Sequence, residues 1–164
     1  MVKRVVLVVL VGCGPAAPPA APGPAPAKRA HEVPARLSTD NEDRRLVILS
    51  PEGHASAKHL NAFLHDEASN DKQRRVDPAT YELVDERLVH DCPQLDSACL
   101  CQIGETLKAS ELLYGTIREG GKGYEIELHL FDVDRQLDIT WTGSADDLRA
   151  TARSAYKTLT HPVH

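Results

Sequence analysis

The sequence predicts an α/β (α+β) domain: one mixed sheet with a C-terminal antiparallel β-meander, covered by three to four helices. Three observations carry this. Leu46-Val47-Ile48-Leu49 is a continuous apolar run closed by Ser50-Pro51, the pattern of a strand buried on both faces. Segments with helical spacing follow it. From Leu113 onward the period changes to two, and three alternating stretches succeed one another across short turns. Strands joined so closely are antiparallel neighbours, while the earlier strands reach one another through helical crossovers.

In chain order, the folded part opens at Arg45 with the apolar strand. Ala57, Leu60, Phe63 and Leu64 recur at helical spacing and predict a helix over 56–68 with one apolar stripe, ended by Ser69-Asn70-Asp71-Lys72. A short strand is expected around 74–76. Asp77-Pro78 reads as a helix start, the carboxylate as cap and proline in the first turn, with Tyr81, Val84 and Leu88 as the buried face. A further helix starts at Asp96 and carries Leu100, Ile103 and Leu107 on one side. Leu113, Gly115 and Ile117 then alternate, and Glu119-Gly120-Gly121-Lys122-Gly123 is hairpin chemistry. Tyr124, Ile126, Leu128 and Leu130 alternate with Glu125, Glu127 and His129. After a turn near Asp134-Arg135, Leu137, Ile139 and Trp141 form the third strand. Asp146 or Asp147 caps a last helix with Leu148, Ala152, Ala155 and Leu159. The order is β-α-β-α-α-β-β-β-α, and the polar alternate positions of the meander predict that its second face meets water.

The N-terminal quarter has a different character. Lys3 and Arg4 precede the apolar run Val5–Val11, and a small residue, Gly12, closes it; this is a secretory signal over residues 1–12. The run is well short of the ~18–20 residues that span a bilayer. From Gly14 to about Ala35 the chain is Pro, Ala and Gly, with seven of the eleven prolines. Such a segment is a semi-rigid extended spacer, and at ~3.1 Å per residue its reach is about 70 Å. The expected organisation is therefore a signal over 1–12, a tether over 13–44, a domain over 45–160 and a tail over 161–164. The net charge is −5, and loss of Lys3 and Arg4 takes it to −7. An acidic chain with no Lys/Arg run argues against nucleic acid as a partner.

Leu10-Val11-Gly12-Cys13 resembles the lipobox of bacterial lipoproteins. That resemblance implies cleavage before Cys13, a diacylglycerol on its thiol and acylation of the new amino terminus. The implied partner is the membrane, reached through the lipid, since two or three chains at about 0.8 kcal/mol per buried CH₂ make a durable anchor. Gly14, where an Asp would mark inner-membrane retention, implies an outer-membrane lipoprotein facing the periplasm.

From Leu46 to Leu159 the pattern resembles short bacterial lipoprotein domains related to the N-terminal domain of the translocation protein TolB. The carrying residues are Cys92 and Cys99-Leu100, Ile103-Gly104, Leu107, Leu112-Leu113-Tyr114-Gly115, Tyr124–Leu128 and Phe131-Asp132-Val133. Ala109-Ser110 stands where that family has Ala-Asp, Cys101 is an extra thiol, and no propeller pattern follows. Loop entropy leaves Cys92–Cys99 and Cys92–Cys101 equally open; the resemblance, together with the position of Cys99 nearer the helix start, implies Cys92–Cys99, with Cys101 left as a thiol.

No catalytic, cofactor or metal constellation emerges. His54, His59 and His65 have spacings of five and six and do not share a helix face, His90 stands beside Asp91, and His161 and His164 lie at the terminus. These read as solvated surface histidines. Cys99-Leu100-Cys101 is not a redox motif, Ser56, Ser97 and Ser154 lack an elbow context, and Gly120, Gly121 and Gly123 sit in a hairpin rather than a phosphate loop. The expectation is a lipid-anchored, non-enzymatic binding or assembly module contacting an envelope protein. The alternatives are a subunit of an oligomeric secretion-type complex, or a metal-binding enzyme using the histidines.

Overall fold

The computed structural model describes residues 44–121 and 123–161, together with the backbone of Val6–Val9. Cys13, Gly14 and the expected tether up to residue 43 lie outside the described residues. The elements are β1 (Val6–Val9), β2 (Arg45–Ser50), β3 (Glu52–Gly53), α1 (Ala57–Ser69), β4 (Arg75–Val76), β5 (Tyr81–Glu82), α2 (Leu83–Val89), α3 (Ser97–Leu107), β6 (Glu111–Gly120), β7 (Gly123–Asp132), β8 (Leu137–Ala145) and α4 (Leu148–Thr160).

The apolar run of β2 is buried because the sheet has a helical layer on each side. Leu46 and Ile48 point into one cluster with Leu60 and Leu64 of α1 and Ala152, Ala155 and Leu159 of α4. Val47 and Leu49, one residue out of phase, point into a second cluster with Leu100 and Ile103 of α3 and with Leu83. The sheet is open and mixed, in the order β1-β8-β7-β6-β2-β4. β2 runs parallel to β6 on one side and to β4 and β5 on the other. β6, β7 and β8 form the antiparallel meander, with Gly120 opposite Gly123 across a two-residue turn. Gly123 has φ +101° there, which a side chain would oppose. The second face of the meander is covered at one end, where Leu112, Tyr114 and Phe131 pack with α3, and is polar at the other.

The caps explain the helix boundaries. Asp96 accepts from the Cys99 amide at 2.9 Å, and Asp147 accepts from those of Arg149 and Ala150 at 2.9 and 3.2 Å. Cys92 and Cys99 form a disulfide, with Cα atoms 5.8 Å apart, tying the loop after α2 to the first turn of α3. Cys101 is not a free thiol, which corrects the expectation of a spare one. Counting cysteines and loop lengths could not foresee this, because only geometry decides which sulfurs meet.

A second correction concerns the segment after Asp77. Its carboxylate is not a helix cap: it binds the Arg45 guanidinium and accepts from the Ala79 amide at 2.9 Å. Tyr81-Glu82 then continues as β5 beside Leu49 and Ser50, and the helix begins only at Leu83. The expected buried stripe does not exist. Leu83 is buried, whereas Val84 is 51% and Leu88 75% exposed, with Val89 beside them at 74%.

Candidate functional site

The topology itself points to a place. From β2 the chain crosses by α1, on the first face, to β4 on one side. The return to β6 on the other side passes α3, on the second face. β2 is thus the strand at which connections diverge, and a crevice opens beyond its carboxyl end, as in other open α/β sheets. Here Ser50 and Pro51 leave β2, α1 begins on one flank, and β5 with α2 forms the other.

The crevice has two joined lobes that share Ser50, Lys58 and Glu82. One, of about 490 Å³, lies between the start of α1 and α2 and is bounded by Glu52, His54, Val84 and Arg87. The other, of about 680 Å³, runs along α1 past Asn61, Ala62 and His65 to Pro78 and Thr80. Its polar groups are poorly provided for. Asn61 is 6% exposed, and its Oδ1 is buried with no hydrogen-bond partner. The same holds for Nε2 of His65, Nε of Arg87 and Oε1 of Glu52, so four of the seven such side-chain atoms among the described residues line this one crevice. Glu52 and Arg87 do pair as ions at 3.7 Å. Each unmet bond costs about 1–3 kcal/mol, which a water or partner group supplying the missing bond removes. Burial lowers the His65 pKa against the opposing pull of Asp77, so this ring is neutral near pH 7. Val84 lines the first lobe, and the exposed Leu88 and Val89 continue an apolar, solvent-facing edge along α2 from it.

A second polar group lies on the meander's second face, next to the end that α3 covers. His129 Nδ1 lies 3.0 Å from Asp138 Oδ2, and its Nε2 lies 3.1 Å from Glu127 Oε1. Tyr114 stacks on the imidazole, with centroids 4.8 Å apart, and donates its hydroxyl to Asp138 at 3.1 Å. Burial opposes charge on this ring, but the bonds and charges of Asp138 and Glu127 outweigh it and raise its pKa. Burial, followed by Asp138, pushes the Tyr114 phenol above its ordinary value. With both nitrogens bound to carboxylates, His129 is a clamp across β7 and β8.

No family model matches the chain, and no curated protein matches it. Several solved structures are similar at low identity. TolB from Acinetobacter baumannii is 12% identical with a TM-score of 0.49, over 74% of this chain and 29% of that one. The C-terminal domain of LpoB from Escherichia coli is 11% identical with a TM-score of 0.42, over 62% and 83%. A lipoprotein from Neisseria meningitidis is 16% identical with a TM-score of 0.41, over 73% and 99%. The chain therefore spans less than a third of the TolB chain.

The sequence-predicted residues fall out as follows. Cys92 and Cys99 are brought together, while Cys13 lies outside the described residues. The histidines are not uniformly solvated, which corrects that expectation: His59 is exposed, but His54, His65, His90 and His129 are half-buried. His54 Nδ1 accepts the Ser56 amide at 3.1 Å, and the Ser56 hydroxyl donates to Tyr124 at 2.9 Å, so this pair organises the start of α1. Among the described residues no three His, Cys, Asp or Glu side chains are grouped to hold a metal. Also among the described residues, no helix is long and apolar enough to cross a membrane. Sequence reading missed Ser50, Lys58, Asn61 and Glu82. The one available signal was the polar step Ser50-Pro51 ending a wholly apolar strand.

Proposed function

We propose that this chain is a lipid-anchored protein of the bacterial envelope, tethered through Cys13 to the outer membrane and facing the periplasm. In this reading it acts as a non-enzymatic docking module through the crevice beyond β2. The single observation that carries the docking site is the concentration in one crevice of buried polar atoms of Asn61, His65, Arg87 and Glu52 with no hydrogen-bond partner among the described residues, on the side where Val84 of α2 is exposed. A protein segment lying there buries the apolar edge and supplies amide donors and acceptors to the crevice wall. Leader, lipobox and tether residues support the address. The histidines support binding over catalysis: His129 is held by two carboxylates, and His54 is committed to the Ser56 backbone.

The test is retention of envelope proteins on immobilised domain. Asn61→Leu and Leu88→Asp should each abolish a retained species while leaving the melting temperature within a few degrees of the parent. A species retained equally by both variants, or by neither variant nor parent, contradicts the assignment.

A further inference from the structure

The two edges of the sheet are built differently. One is blunted: β4 and β5 have two residues each, Pro78 lies between them, and Asp77 is bound to Arg45. The other is β8, nine residues reading Leu-Asp-Ile-Thr-Trp-Thr-Gly-Ser-Ala, with no proline, lysine or arginine to discourage pairing. Its one charged residue, Asp138, is tied to His129 and Tyr114. This edge accepts a strand in the structure, since β1 pairs antiparallel with Leu137–Thr140. β1, however, lies within residues 1–12, which the proposed processing removes, leaving the longest edge of the sheet without a strand partner among the described residues that remain.

We propose that β8 of the mature chain pairs with β8 of a second copy, antiparallel about a twofold axis at Trp141. The hairpin fixes which backbone groups are available. A two-residue turn makes Gly120 and Gly123 a hydrogen-bonded pair. Alternation then directs the odd residues of β8 to β7 and the even ones, Asp138, Thr140, Thr142 and Ser144, outward. With the axis at Trp141, even residues meet even residues: Thr140 faces Thr142 of the second copy, and Asp138 faces Ser144. All nine positions are paired, apolar residues meet on the helix-covered face, and no like charges are opposed. The interface is closed and isologous, so it ends at a dimer.

The inference rests on removal of residues 1–12, which mass spectrometry of the chain isolated from envelopes tests separately. Among the described residues both core clusters draw on residues 46–159, all of which a chain starting at Gly14 retains. Sedimentation equilibrium of that chain should give twice the single-chain mass, and the Thr140 and Thr142 amides should be protected from hydrogen exchange. Thr142→Pro removes one outward N–H, leaves the β7 ladder intact, and should return the single-chain mass with an unchanged circular dichroism spectrum. Ser144→Pro, nearer the strand end, should do the same. A single-chain mass for the parent, freely exchanging Thr140 and Thr142 amides, or a dimer that persists in either folded variant overturns the proposal.

Discussion

Glu111 shows how much of the stability rests on single side chains. Its side chain is 3% exposed and that of Arg74 8%; they are joined at 2.7 Å, with Arg44 on the other carboxylate oxygen at 2.9 Å. Arg74 also reaches Asp71 and the Thr160 carbonyl, so β4, β6 and the end of α4 meet at one guanidinium. Glu111→Ala leaves that cation buried and underpaired and should cost about 3–5 kcal/mol, read by denaturant unfolding. His129 gives a pH signature with a definite sign. A raised folded-state pKa stabilises fully below the unfolded value of about 6.5 and loses that contribution as pH rises through the folded pKa. The melting-temperature advantage of the parent over His129→Gln should therefore be largest in mild acid and shrink toward alkaline pH. A difference that grows with pH contradicts the clamp. At Gly104 a Cβ would meet Val133 Cγ2 at 2.6 Å, so Gly104→Val should destabilise by pushing α3 away from the turn that follows β7.

At the scale of elements, the disulfide and α2 differ in what they contribute. Closing so short a ring stabilises by about 2–3 kcal/mol in the loop-entropy model. Cys99→Ser should lower the melting temperature under oxidising conditions and change it little under reducing ones; equal effects in both would mean that the thiol acts by packing alone. Legibility from sequence also divides by element. β2, α1, α3, the meander and α4 were readable because each buries a face at its own period over nine or more residues, or over an unbroken apolar run. The segment 77–89 was not. Asp77-Pro78 carries a local helix-start signal, but Arg45, 32 residues away, takes the carboxylate, and pairing with β2 extends Tyr81-Glu82. A long-range ion pair and a strand partner outweigh a cap, and neither is visible in a window of neighbours. The crevice was illegible for the same reason. Ser50, Asn61, His65 and Glu82 come from three separate elements, and only the crossover at β2 gathers them.

At the scale of the molecule, the proposed anchor and tether can be tested separately from the domain. The first two rest on sequence outside the described residues, and each has its own expected outcome. Cys13→Ser should shift the protein from the membrane fraction to the soluble or unprocessed fraction after a high-salt wash. Deleting residues 14–30 should leave the melting temperature nearly unchanged, because the segment has little apolar surface to contribute to a core. The domain brings the central claim, that partners dock in the crevice beyond β2 and along α2. Amide chemical-shift mapping of the isotope-labelled domain during titration with a solubilised envelope fraction tests it most directly. The account predicts shifts at Ser50, Lys58, Asn61, His65, Glu82, Val84 and Leu88, with Glu125, Thr142 and Ser144 unmoved. Shifts confined to the open end of the meander, with the crevice residues silent, would contradict it.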